Sequence, residues 1–425
     1  MYRISEMIGR SAILGQIRIV IVFLLLGLFP ALLIAGGKTP ETIPVEIERI
    51  SDRVLVARCP VGSNVTAIDT RRGIVIVDTH LSPGLMRAMR SKIESVFGRS
   101  KFSFVINTHG HWDHCSGNQV FPEATIIGHA NCPDFMRYNR PDLFGTMWWQ
   151  ESLISRDREE LESKEDPEEA AGLRARIRTR EQILSDLKDD YVSTPPTVTF
   201  RDRYTLDLGD VSAQLIYCGP AHTITDIFVY LPEERIVITG DVFSSPNIFS
   251  FAVSPLVDVP ALLEAVDSVL GQGVDIVVPG HGPLMSGEDL RGLRDLLAEE
   301  YADQSGAVSA ARTLERAIEE QGIEEAERLF HSLASDTSRS GYISEEEMYL
   351  LGTRYVDKAD IETAATIFEL AAEYFPESSL IYGGLGVTCL IRGDTLSAIS
   401  VYERAYELAP YNRHAQVMLR WLRAR

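Results

Sequence analysis

Three histidines and one aspartate fall within six residues, His109 to His114 of "THGHWDH", in a chain of 425 residues that holds nine histidines in all. A d-block cation such as zinc is held by neutral imidazole and carboxylate, and a loop that turns His109, His111, Asp113 and His114 toward one point supplies four such ligands. Alternation does the steric work. In a locally extended or tightly turned segment His109 and His111 can face one ion while Asp113 and His114 reach a second beside it. Gly110 leaves room for the turn.

The surrounding chain is strand-rich. From about Val45, short alternating runs, "RVLVARC" (53–59), "NVTAIDT" (64–70) and "GIVIVDT" (73–79), are separated by turn residues. Ser82 caps an expected helix from Pro83 to Phe97, and the strand "FSFVINT" (102–108) ends where the histidine stretch begins. After "ATIIGH" (124–129) comes a second round: "TVTF" (197–200), "YTLDLG" (204–209), "VSAQLIYC" (211–218), "DIFVYL" (226–231), "RIVITGD" (235–241), a helix near Pro260 to Leu270, and "DIVVPG" (275–280). Two rounds of strands, each closing on a helix, predict an α+β fold with two stacked sheets flanked by helices. His222 in "GPAHT", Asp241 in "ITGDVF" and His281 in "VPGHGP" each come directly after one of these strands. Five of the nine histidines therefore stand at strand ends beside glycine or proline. That placement argues for a shared site more strongly than residue type does.

Between the two rounds, from about 133 to 192, the chain is charged and helix-prone and predicts a solvated helical hairpin inserted into the sandwich. Its leading edge holds Trp148 and Trp149. With Trp112, inside the histidine stretch, they are candidates to line a substrate mouth, and ordinary packing is the plainer role for each. Beyond about Ser286 strand signals end. Gly352 and Gly386, Ala364 and Ala398, Phe368 and Tyr402, Ala371 and Ala405, and Pro376 and Pro410 are each 34 residues apart. This region, about 345–412, resembles tetratricopeptide repeats, with "EEAERLFHSL" (324–333) as a degenerate preceding unit. Two repeats are fewer than the three or so usually needed for independent stability. The all-α region 301–425 is therefore expected to dock on the rest of the chain, on a second copy as a homodimer, or on a protein partner.

The composition, 45% hydrophobic and 24% charged, is that of a folded globular chain, and the length allows two or three domains. A formal net charge of −20 repels phosphate backbones, so no nucleic acid is expected as partner; a small-molecule substrate is expected from the histidine and aspartate site, not from the charge. The five cysteines form no CxxC pair and suggest neither a disulfide framework nor a cysteine zinc knuckle. Arg3, Arg10 and Arg18 precede the apolar run "IVIVFLLLGLFPALLIAGG" (19–37). Its length lies between the roughly 7–15 residues of a secretory core and the roughly 20 of a spanning helix. Residues 1–37 are read as a signal peptide or an N-terminal membrane anchor. The chain beyond residue 37 is expected to be exported, periplasmic or otherwise extracytoplasmic, soluble or tethered to the membrane.

"THGHWDH" matches an HxHxDH motif. With Asp78 in "VDT", His222 in "GPAHT", Asp241 in "TGD" and His281 in "PGHG", the chain over about 41–300 resembles the metallo-β-lactamase superfamily. The resemblance implies a four-layer αββα sandwich, here with the all-α tetratricopeptide-like domain appended, and a dinuclear site along one edge. His109, His111 and His222 would hold the first metal, Asp113, His114 and His281 the second, with Asp241 bridging. Asp78 would orient ligands rather than bind metal. Two zinc ions are the expected cofactors, with iron or manganese as alternatives. His80, where the family is variable, is expected at the surface or behind the ligands.

Two divalent cations sharing a bridging water would lower its pKa toward neutrality and provide hydroxide for attack on a carbonyl. The implied activity is a zinc-dependent hydrolase acting on an ester, thioester, lactone or amide bond, with Asp113 or Asp241 passing a proton to the leaving group. Zinc β-lactamases usually carry cysteine or serine at the position of Asp241, whereas glyoxalase-II-like branches carry aspartate, which weakens the reading as a β-lactamase-type amide hydrolase. Sulfur dioxygenases of the superfamily hold a single iron with the equivalents of His109, His111, His222 and Asp241, an oxidoreductase alternative. A further alternative places the function in the repeats, as a scaffold with a vestigial site; the complete ligand set argues against it.

Overall fold

Successive side chains of a strand point to opposite faces, and here both faces are apolar. Val54 and Val56 meet a second sheet while Leu55 and Ala57 meet a helix. The same division recurs where Ile227, Val229 and Leu231 alternate with Phe228 and Tyr230. The computed structural model describes residues 43–138, 146–243, 257–304, 309–335, 343–410 and 412–423. Its first sheet has seven strands in sequence order: β1 (Glu46–Arg49), β2 (Val54–Arg58), β3 (Val65–Thr70), β4 (Gly73–Val77), β5 (Phe102–Ile106), β6 (Thr125–His129) and β7 (Val198–Phe200). β1 to β4 form an antiparallel meander, and from β4 onward neighbours are parallel.

The second sheet runs β13-β12-β11-β10-β9-β8, built from β8 (Arg203–Asp207), β9 (Ser212–Tyr217), β10 (Ile227–Leu231), β11 (Ile236–Gly240), β12 (Ile276–Pro279) and β13 (Met285–Ser286). Only the β11–β12 pair is parallel. Helix α1 (Pro83–Phe97) covers the outer face of the first sheet through Met86, Met89 and Ile93. Leu262 and Val266 from Val259–Gln272, with Leu290 and Leu297 from Gly287–Gln304, cover the second. This is the expected αββα sandwich. β1 and β13 escape the sequence pattern because "EIER" is largely exposed and β13 is two residues long, so neither carries an apolar alternation.

Parallel pairs decide where the site falls. β4 and β5 in one sheet and β11 and β12 in the other end on the same edge, and two backbone bonds tie the sheets there: Ile227 N donates to Thr108 O at 2.8 Å and Asn64 N to Gly280 O at 2.7 Å.

The insertion comprises α2 (Cys132–Tyr138), α3 (Thr146–Ser163) and α4 (Pro167–Asp189), of which α3 and α4 form the expected hairpin. It is less solvated than its composition suggests. Asp157 is fully buried between the two helices, with Arg176 and Arg180 at 3.3 Å. Asp186 of α4 accepts hydrogen bonds from Ser82 Oγ at 2.7 Å and Gly84 N at 2.9 Å, placing a carboxylate at the positive end of α1. Asp186→Ala strands both donors in a buried setting. It is expected to destabilise the fold by about 2–3 kcal/mol, read as an earlier denaturant midpoint with metal content unchanged.

The C-terminal region is entirely helical among the described residues: α5 (Ala310–Gln321), α6 (Ile323–Ser335), α7 (Glu345–Asp357), α8 (Ile361–Tyr374), α9 (Ser379–Ile391), α10 (Thr395–Leu408) and α11 (Arg413–Arg423). α7 and α9 begin 34 residues apart, as do α8 and α10. The periodic residues meet between helices: a Cβ added at Gly352 would lie 2.5 Å from the Phe368 ring, and one at Gly386 2.5 Å from the Tyr402 ring. α7 touches α2, and α11 touches α3, so the array docks on the insertion. The apolar run 19–37 lies outside the described residues; among those described, no helix is long and apolar enough to cross a membrane.

Candidate metal centre

The centre is assembled on the edge where the parallel strands end. β4 runs into Asp78, whose φ of +60° is a left-handed conformation that aspartate tolerates better than most residues. Its carboxylate, 2% exposed, accepts from Thr108 N at 2.8 Å and Thr108 Oγ1 at 2.7 Å and faces His114 Nδ1 at 2.8 Å. Asp78 thus fixes the start of the histidine stretch and one ligand ring at once. Sequence reasoning misses Thr108; its position between a strand end and the first histidine is the available signal.

The seven candidate ligands fall into two groups, His109, His111, His222 and Asp241, and Asp113, His114, Asp241 and His281. Within each group the donor atoms lie within 4.8 Å of one another. His111 Nδ1 is 3.1 Å from His109 Nε2 and 3.0 Å from His222 Nε2. His281 Nε2 is 3.2 Å from both His114 Nε2 and Asp113 Oδ2. Two nitrogens each about 2.0–2.1 Å from one tetrahedral zinc lie about 3.3 Å apart, so the spacings and the all-imidazole-and-carboxylate donor set fit such an ion. Rear contacts favour the same orientation: His109 Nδ1 faces Thr108 Oγ1 at 3.1 Å and His281 Nδ1 faces Gly62 O at 3.1 Å, leaving each Nε2 for a cation.

The two groups differ in charge. Burial holds His109 well below the usual imidazole range, takes His111 down to about 3, and lowers His222. These three are neutral at pH 7, the form that ligates. Burial also acts on His114 and His281, but carboxylates overcome it. Asp241, Asp113 and Asp78 carry His114 well above its ordinary value, and hydrogen bonds to Asp113 and Asp241 raise His281 to about 9. Although burial opposes it, His114 pulls Asp113 down to about 2 and Asp241 well below the carboxylate range.

Two glycines are there for space. A Cβ at Gly110 would stand 2.5 Å from Phe135, whose ring packs on His111 with centroids 5.4 Å apart. A Cβ at Gly280 would stand 2.0 Å from Asp241 Oδ1. Gly280→Ala is expected to displace Asp241 and lower metal content below two equivalents while the circular dichroism spectrum stays native; full metal content in that variant would refute it.

The other candidates, and two residues near the site that are not candidates, Cys115 and His129, take different places. His80 is fully buried behind Gly62, not at the surface, and burial lowers it to about 3. Trp112 packs on a cluster of Leu81, Leu85 and Ile183 between α1 and α4, and Cys115 is buried, donating to His109 O at 3.1 Å. His129 stacks on Tyr217, centroids 3.9 Å apart. Trp148 and Trp149 lie on α3, with side chains outside the described residues.

Comparison with known proteins places the chain at the level of family. The linear primary-alkylsulfatase of Pseudomonas sp. is 24% identical over 246 residues, 54% of this chain and 44% of its own. The 2,4-dinitroanisole O-demethylase subunit alpha of Nocardioides sp. is 26% identical over 219 residues, 51% of each chain. This chain spans about half the length of these curated relatives. The solved metallo-beta-lactamase from Pontibacter korlensis is similar over 60% of this chain and 99% of that chain, at 16% identity and a TM-score of 0.42. The model of the metallo-beta-lactamase superfamily matches residues 60–281. That stretch is just over half of the 425 residues and carries every candidate ligand from His109 to His281, so this chain belongs to the metallo-β-lactamase superfamily.

Proposed function

We propose that the chain is a hydrolase with a dinuclear zinc centre, cleaving an ester, thioester, lactone or amide bond. One observation supports two metals over one: Asp241 Oδ2 lies 3.9 Å from His109 Nε2, 3.7 Å from His222 Nε2 and 3.4 Å from His281 Nε2, and Oδ1 lies 3.3 Å from His114 Nε2. One carboxylate serves both donor groups. When bound, the cations would supply Lewis acidity, polarising the scissile carbonyl and making water acidic enough to attack near neutral pH. The chain's own residues do the rest. His109, His111 and His222 stay neutral and in register, Asp78 and Thr108 hold the loop, and Asp113, 22% exposed against 13% for Asp241, is the better placed to take a proton from the attacking water and pass it to a leaving group.

The test is a panel of thioester, lactone, carboxylic ester and β-lactam substrates offered to zinc-loaded protein, with His111→Ala as control. The relative named as an alkylsulfatase adds a primary alkyl sulfate to the panel. Turnover that needs about two zinc ions and vanishes in the variant supports the reading. About one iron per chain, with oxygen consumed on a persulfide, would replace it with the dioxygenase. We further propose that the tetratricopeptide-like array serves a protein partner or a second copy, and that the apolar run 19–37 exports or tethers the chain; size-exclusion and cell fractionation test these.

A further inference from the structure

The loop that carries His222 has three other polar side chains, and they lead inward to the histidine stretch. Asp226, 1% exposed, accepts Thr223 N at 2.6 Å and Thr223 Oγ1 at 2.9 Å. Thr223 Oγ1 accepts Thr225 N at 3.0 Å and lies 2.8 Å from Thr225 Oγ1. Thr225 Oγ1, in a fully buried residue, accepts Gly110 N at 2.9 Å.

A hydroxyl has one proton to donate. With Asp226 ionised, the Thr223 proton goes to it and the proton between the threonines comes from Thr225; burial raises Asp226 to about 7, so this direction holds above neutrality. That leaves the Thr225 lone pairs for the Gly110 N–H, and the chain of bonds has one direction, from Gly110 to the Asp226 carboxylate. Backbone bonds also hold the loop, Asp258 N to Pro220 O at 2.8 Å and Ile227 N to Thr108 O at 2.8 Å. The side-chain relay differs in where it lands. Gly110 stands between His109 and His111, so the relay fixes the turn that sets both rings, from the loop that carries the third.

We infer that Thr225, oriented by Thr223 and Asp226, is a positioning residue that sets the separation of His222 from the His109–His111 pair and with it the affinity of the first metal. This rests on the dinuclear reading above. The physical reason is tolerance: ligand geometry must hold to about 0.5 Å, and His222 Nε2 meets His111 Nδ1 at 3.0 Å across two chain segments that the Thr225–Gly110 bond joins.

The test uses the full chain, stripped of metal and titrated with cobalt(II), whose visible absorption reports coordination. Thr225→Val keeps the shape and removes the hydroxyl; Thr225→Ser restores it. Thr225→Val is expected to weaken the first cobalt site by about 10- to 100-fold and to alter its absorption while the second site is retained, with Thr225→Ser returning to wild type. Asp226→Asn, which keeps volume but turns one acceptor into a donor facing Thr223, is expected to act in the same direction and stands in if Thr225→Val does not fold. Wild-type cobalt affinity and spectrum in Thr225→Val, or equal losses in Thr225→Val and Thr225→Ser, would overturn the positioning role alone. Wild-type protein that takes up no second cobalt would overturn the dinuclear reading and this inference together.

Discussion

Asp241→Ala is expected to lose both metal ions at once and to lower kcat/KM by at least about a thousandfold, beyond the cost of removing one preorganised electrostatic group. The expectation comes from sharing. Each other ligand belongs to one donor group, whereas Asp241 belongs to both. His222→Ala should therefore leave the second group able to hold metal, and Asp113→Ala the first, each with about one equivalent by elemental analysis. Asp241→Ala should hold well under one. The fold should tolerate the change, because Asp241 lies at the end of β11 and not in its ladder. If Asp241→Ala keeps two equivalents with only turnover lost, the carboxylate acts in proton transfer and does not hold the metals together.

The site is legible in the sequence to the extent that its ligands are local events. His109 to His114 form one turn, and Asp241 and His281 stand at strand ends flagged by glycine and proline. Its supports are less legible because they are distant partners. Asp186 meets Ser82 and Gly84 across 104 and 102 residues, and no local pattern in α4 marks it as anything but one more acid in a charged helix. Gly280 shows the same limit from the other side. A glycine beside a histidine reads as a flexible turn, whereas the reason for it is the Asp241 oxygen that a Cβ would strike. The sandwich itself is readable because its central strands, β2, β4, β10 and β11 among them, bury both faces and end at turns. The contact of α7 and α11 with the insertion is not, since helix periodicity says which face is apolar but not what covers it.

The unequal charge of the two donor groups leads to an unequal dependence on pH. At pH 7 the first group is already deprotonated, with His111 at about 3, so filling it should release almost no protons. The second group carries protons, His281 at about 9 and His114 raised well above its ordinary value, and these occupy the nitrogens that a cation needs. Filling it should therefore release one to two protons. Its affinity should fall about tenfold for each pH unit below 9 per proton displaced, about a hundredfold between pH 8 and pH 6 for one proton, while the first group stays nearly flat over that range. Stability of the metal-free fold runs the opposite way. His281 is raised above its unfolded value of about 6.5, so the stability it adds is fully present below that value and is lost as pH rises through about 9. Metal-free protein should melt lower at pH 9 than at pH 6.5, and zinc should add most to the melting temperature at the higher pH. Zinc titrations in weakly buffered solution with a pH indicator measure the proton count for each equivalent. Equal release for both equivalents, or two sites that weaken together on acidification, would mean that Asp113 and Asp241 do not hold protons on His114 and His281.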